Sequence, residues 1–116
     1  MEKDREMENA INDLFDAIGE DFARWNERGQ NPRPSAYAEM LDKLYVEEGR
    51  KYLKIVKDTG NQKMVWGFVV KEDDKMFRAG DILKAAGWSA PARNRARGNI
   101  LDGDFSWVRW TGPEYL

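Results

Sequence analysis

The chain has 116 residues, 19 Lys+Arg against 21 Asp+Glu, and neither cysteine nor histidine. Lacking cysteine, it has no disulfide, thiolate nucleophile or Cys zinc ligand. Lacking histidine, it has no imidazole base, so zinc hydrolase, Ser-His-Asp and Cys-His chemistries are excluded. With 41% apolar and 34% charged residues it reads as a globular domain, and no apolar run approaches the ~20 residues a bilayer span needs.

The first residues, Met1-Glu2-Lys3-Asp4-Arg5-Glu6, carry both signs of charge, unlike a signal or transit peptide, and a soluble intracellular protein is expected. Residues 1–49 hold 6 Lys+Arg against 13 Asp+Glu, a net of −7, and residues 50–116 hold 13 against 8, a net of +5. The hydrophobic period changes at the same place, from about 3.6 to about 2. An acidic helical segment (1–49) and a basic β-rich module (50–116) are expected, forming one compact domain together.

In the acidic segment Met7, Ile11, Leu14, Phe15, Ile18, Phe22 and Trp25 form one stripe of a helix of about 24 residues, roughly 36 Å long. Gly29 and the run Gln30-Asn31-Pro32-Arg33-Pro34 end it. Ser35 is the predicted cap of a second helix, with Tyr37, Met40, Leu41, Leu44 and Tyr45 on one face and Gly49 as its stop. The first stripe outreaches the second helix. It buries against the sheet, against a second copy as a homodimer, or against a foreign partner.

From Lys51 the texture is that of strands. Residues 51–57 and 63–71 flank the turn signal Asp58-Thr59-Gly60-Asn61 and predict a hairpin. In the second strand Met64, Trp66, Phe68 and Val70 are expected on one face, Val65, Gly67 and Val69 on the other. Gly67 leaves room for a close neighbour. Residues 81–86 fit a third strand or a short helix capped by Asp81. Pro91 and Gly98 bracket Ala92–Arg97, one helical turn or an ordered loop. Phe105–Trp110 alternates as a last strand, with Trp107 between Phe105 and Arg109 on one face and Trp110 on the other.

Several pieces of the second half stand in a recognisable order: Lys54-Ile55-Val56, Phe68-Val69, Gly80-Asp81-Ile82-Leu83-Lys84-Ala85-Ala86, Trp88, Pro91-Ala92, Arg97-Gly98-Asn99-Ile100 and the tail from Trp110 to Leu116. The string resembles a family of small, mostly uncharacterised proteins of tailed bacteriophages, over about 67 of the 116 residues. The tail carries one residue more before its glycine than the family pattern. The resemblance implies a phage accessory role in the cytoplasm of an infected bacterium, favours a β-meander over a helix at the Gly-Asp step, and brings no catalytic residue with it.

The fold expected is α+β, with two N-terminal helices packed on a small antiparallel sheet of three or four strands. Ile11, Leu14, Ile18, Phe22, Leu41, Leu44, Leu53, Ile55, Met64, Trp66, Phe68, Ile82 and Val108 are its expected core. The functional signal is a basic–aromatic set: Lys84, Trp88, Arg93, Arg95, Arg97, Trp107 and Arg109, with Lys51, Lys54, Lys57 and Lys63 from neighbouring strands. Cations attract phosphates and release counterions, and exposed rings stack on bases, so single-stranded DNA or RNA is the expected ligand. Against it, the same cations serve as solvated or internally paired charges and the tryptophans as core. The alternative is an inhibitor or regulator of a bacterial host protein, docking through Met7, Ile11, Phe15, Phe22 and Trp25. The pairs Asp73-Asp74 and Asp102-x-Asp104 are the compact acidic clusters; their places at turn signals suit backbone hydrogen bonding better than a metal. No enzyme activity, cofactor, metal or membrane contact is expected.

Overall fold

The computed structural model describes residues 2–113; Glu114, Tyr115 and Leu116 of the tail motif lie outside the described residues. Helix α1 (Glu2–Glu27) leads into α2 (Ala36–Asp42). Strands β1 (Leu44–Glu48), β2 (Tyr52–Asp58), β3 (Lys63–Val70), β4 (Asp81–Leu83) and β5 (Gly98–Asn99) form one sheet in that order, each antiparallel to its neighbour. Strands β6 (Val108–Arg109) and β7 (Gly112–Pro113) make a small separate hairpin. The α+β class and the meander are as expected. The sheet is larger, with five strands and two more beside it. No helix among the described residues is long and apolar enough to cross a membrane.

The helical stripe is spent inside the chain. Leu14 and Ile18 are fully buried, and Ile11 and Phe22 nearly so. Each such side chain contributes ~1.5–3 kcal/mol by leaving water. They join Met40, Leu44, Ile55, Trp66, Val69, Ile82, Ile100 and Val108 in one core between the helices and one sheet face, with Met7 and Phe15 packed at its edge. Gly19 gives the Tyr37 ring room to lie against α1, where its hydroxyl donates to Asp16. Arg28 and Gly29 N–H close the helix end on Trp25 and Asn26 carbonyls, and the buried Asn26 side chain accepts from Arg33 N–H at 2.6 Å.

The second helix is shorter than its sequence pattern. It stops at Asp42, and Leu44–Glu48 is strand β1, paired residue for residue from Leu44↔Lys57 to Glu48↔Leu53. Gly49 therefore ends a strand, its N–H bonded to Tyr52 O at 2.8 Å across the β1–β2 turn. The same apolar positions serve either structure: Leu44 and Val46 alternate onto the helix side, and the ladder to β2 gives their backbone partners that a lone helical end lacks. The charge boundary thus runs through the sheet. Glu47 of the acidic half pairs with Lys54 of the basic half at 3.4 Å.

The expected alternation in β3 fails at one residue. Its register against β2 slips between Ile55 and Val56, leaving Trp66 as a bulge. Trp66 turns to the helix-side core with Val69, while Phe68 and Val70 face the other way and cluster with Phe77 and Leu83. The bulge aims the Trp66 indole N–H at Arg109 O, 2.9 Å away. Met64, expected in the core, is exposed, and Leu41 and Leu53 are half-buried. Gly67 does allow close approach: a Cβ there would meet Leu83 O at 3.3 Å and Pro113 at 3.4 Å.

The last strand is also shorter than predicted. The Asp104 carboxylate accepts Ser106 N–H at 3.0 Å and turns the chain, so only Val108–Arg109 is extended. Trp107 is consequently buried, its N–H on Asp104 O at 2.8 Å and its ring lying across Gly98.

Lys57 of β2 is a buried cation without a carboxylate among the described residues. Its amine lies 4.9 Å from the Trp110 ring centre and donates weakly, at 3.5 Å, to Trp110 O. Burial, then repulsion from Lys43, pushes the amine below the usual lysine range. A lowered amine pKa makes the folded state disfavour protonation, so this penalty is present at neutral pH and relieved as pH rises towards the ordinary lysine value. Lys57→Met, which keeps the stem, is expected to stabilise the fold by about 1 kcal/mol near neutral pH. Urea melts at neutral and alkaline pH check both the gain and its shrinkage.

Candidate nucleic-acid interface

The sheet face away from the helices is covered by two loops, residues 71–80 and 84–97. The second folds back on itself. Ala92 N–H bonds Lys84 O at 2.7 Å, Ala85 bridges Pro91, and Ala86 and Gly87 N–H share Ala90 O. Gly87, Trp88 and Ser89 thus form the tip of a tight loop. Trp88 is 45% exposed, and the Lys54 ammonium lies 4.1 Å from its ring centre, a cation–π contact that holds the indole over β2.

A shallow groove of about 410 Å³ opens beside this tip, lined by Glu47, Glu48, Arg50, Lys51, Tyr52, Lys54, Phe68 and Ser89. Tyr52 and Phe68 meet edge to face at 5.8 Å. Both acids are occupied: Glu47 by Lys54, and Glu48 by Lys71 at 2.7 Å, which holds its carboxyl below the usual range. Arg50 and Lys51 are exposed and make no ion pair with the described residues. The groove is therefore aromatic-walled and cationic at one end.

The predicted set of seven does not assemble as one surface. Trp88 and Arg93 lie on this face. The Arg93 guanidinium, however, stacks 5.0 Å from the Phe77 ring centre, bonds Tyr52 Oη, and pairs with Asp74 at 3.2 Å. Backbone N–H groups of Met76 and Phe77, and then Arg93, hold the Asp74 carboxyl below its usual range, so this pair stays ionised and its charge is internally matched. Arg95 is exposed on the same loop. Arg97 reaches back to Asn94 Oδ1 at 3.5 Å while its N–H joins Ile82 O. Lys84 lies on the opposite side, with Nζ 3.9 Å from where a Cβ on Gly112 would sit. Arg109 is also on the helix side, its Nη1 on Ser106 and Val108 carbonyls. Trp107 cannot stack on a base, because its ring is buried against Gly98 and Trp66.

The alternative docking stripe is likewise not a surface. Ile11 and Phe22 are buried in this chain's own core, Met7 and Phe15 pack against it, and only Trp25 of the five is exposed. This leaves little of the stripe for a host protein or a second copy. The acidic clusters serve turns: Asp73 accepts Ala79 N–H, Asp74 caps Met76 and Phe77, Asp102 pairs with Arg78, and Asp104 caps Ser106. No three acidic side chains converge among the described residues.

Gly49 fits a helix stop in the sequence and hides Arg50; in the β1–β2 hairpin turn Arg50-Lys51-Tyr52 is a basic–aromatic run. The motifs behind the resemblance prove architectural. Asp81 and Asn99 are register partners across β4–β5, Gly98 is the floor under Trp107, and Ile100 is core. No curated protein and no solved structure matches the chain. A protein-family model does match, over residues 1–113, helices and sheet alike, and the chain belongs to that family, a family of unknown function (DUF7717).

Proposed function

We propose that the protein is a non-enzymatic accessory protein of a tailed bacteriophage that binds single-stranded nucleic acid on the sheet face away from its helices. The observation that carries the binding is the exposed Trp88 indole, held by Lys54 at the edge of a groove lined by Arg50, Lys51 and Tyr52. The ordered motifs of the second half support the phage origin. A single strand fits because its unstacked bases offer faces to an exposed ring, and a shallow cationic groove tracks a phosphate backbone without reading sequence. Of the residues read from the sequence, Trp88 keeps a direct role here, Arg93 shapes the loop through Asp74 and Tyr52, and Lys54 holds the Trp88 ring while paired with Glu47, which leaves Arg50 and Lys51 to supply the phosphate contacts.

Titration with oligo-dT and oligo-U, followed by tryptophan fluorescence at two salt concentrations, tests this. Quenching that weakens steeply with salt is expected. Trp88→Ala should weaken binding about tenfold or more, the loss of one base stack at ~1–3 kcal/mol. Removing both Arg50 and Lys51 should flatten the log–log salt slope by about 1.4, two single-strand phosphates at ~0.7 each. No quenching at low salt would remove the proposal.

A further inference from the structure

We propose a second ligand site on the helix side of the sheet, a cleft that takes one nucleoside monophosphate, with the base on Trp25 and the phosphate between Arg24 and Arg28. The cleft, of about 250 Å³, lies where the last turns of α1 meet the β6–β7 turn, lined by Asp21, Arg24, Trp25, Arg28, Arg109 and Trp110. Its geometry is held firmly. Asp21 Oδ2 accepts Trp110 N–H at 2.9 Å, which pins the turn to the helix. The Trp110 ring meets Phe22 edge-on at 5.2 Å and Trp25 at 5.0 Å, and Trp25 stacks on Phe22 at 5.8 Å. Behind Trp110 stands the Lys57 ammonium.

Cations in the last turn of a helix are expected for the dipole alone. The dipole does not explain a 53%-exposed indole lining the same cleft as both of them; Arg109 lines the cleft from β6 with its Nη1 held on the Ser106 and Val108 carbonyls. Large aromatic surface left in water beside forked donors is the arrangement that recognises a planar ring joined to a phosphate. Asp21, the acid among the lining residues, is occupied by Trp110 N–H and, at 3.6 Å, by Arg24. The volume is slightly below the ~300 Å³ at which drug-sized sites begin, the scale of a single small ligand. This site lies across the sheet from Trp88 and stands or falls separately from the groove described above.

The test uses full-length Trp88→Phe protein, so that the groove's reporter is silent. AMP and UMP are titrated by calorimetry and by the shifts of indole N–H resonances, with adenosine and inorganic phosphate as separate arms. The nucleotides should bind, with the Trp25 and Trp110 resonances moving. Adenosine and phosphate should each bind at least tenfold more weakly. Arg24→Gln with Arg28→Gln should weaken AMP at least tenfold with the melting curve preserved, and Trp25→Leu, which also loses its packing on Phe22 and Trp110, should weaken it as much at a temperature where that variant is folded. These positions are exposed, and the single Arg28→Gln serves if the double variant melts early. The absence of nucleotide binding at millimolar concentration, phosphate binding as tightly as AMP, or AMP affinity unchanged in the arginine variants would each overturn the site. The groove's failure would appear instead as unquenched oligonucleotide titrations of the parent protein.

Discussion

Gly98→Ala is expected to destabilise the fold by about 3 kcal/mol, at the upper end of the range for overpacked cores. The reason is space. Gly98 has no positive φ to protect, but a Cβ there would overlap Cε2 and Nε1 of Trp107. The ring cannot withdraw. Its N–H is held by Asp104 O at 2.8 Å, and its far side meets Trp66 and Phe105. Moving it would disturb the turn that places Val108 and Arg109, and through the Trp66–Arg109 bond the bulge in β3. Trp107→Leu makes room at the cost of a cavity, so Gly98→Ala should cost far less in that background than alone. Urea melts of the two single variants and the double variant measure this coupling. A Gly98→Ala protein within 0.5 kcal/mol of the parent, a change in the range of ordinary surface substitutions, would show that the indole is not clamped as described.

What the sequence revealed and what it concealed divide along physical lines. The stripe Ile11, Leu14, Ile18, Phe22 was legible because burial of one helical face imposes its period directly. So was the β2–β3 hairpin: Gly60 has φ +90°, and Asp58 Oδ1 accepts its N–H at 2.9 Å, the local chemistry that makes such turns readable. Leu44 and Tyr45 fit the helical period of α2 yet lie in β1, because their decisive partner, β2, is non-local. The bulge at Trp66 inserts one residue with no compositional mark, so every inward assignment on one side of it was inverted. Among the site residues, closeness along the chain misled. Lys84 and Trp88 are four positions apart, yet the fold of the 84–97 loop sends them to opposite sides of the sheet. Conversely, Arg24 and Arg28 were hidden inside a segment of net charge −7, because averaging over 49 residues erases a cationic corner only two helical turns long.

Asn99→Ala is expected to cost about 3 kcal/mol, although it removes only one small side chain. Asn99 is 4% exposed, and each polar atom of its amide is used. Its Nδ2 donates to Asp81 Oδ1 at 2.9 Å and to Ala79 O at 3.0 Å, and its Oδ1 accepts Leu101 N–H at 2.7 Å. Asp81, 7% exposed, accepts Arg78 N–H at 2.8 Å through its other oxygen. Truncation at 99 therefore strips the buried Asp81 carboxylate of one donor and leaves the half-buried Ala79 carbonyl and the Leu101 N–H without that partner, so the desolvation penalty falls mainly on Asp81. Gly80 tightens the arrangement. Its φ of +89° and missing Cβ let Asn99 Oδ1 approach, and its N–H and C=O bond Val70 and Ile100 on either side. If the cost is the stranded carboxylate, Asp81→Ala combined with Asn99→Ala should be less destabilising than the sum of the two by ~1–2 kcal/mol, within the range for coupled neighbours. Additive losses would mean that the pair does not act as a unit. Because β4 and β5 flank the 84–97 loop, the Asn99→Ala protein should also be cut by protease in that loop before it unfolds globally, losing oligonucleotide quenching in step with cleavage.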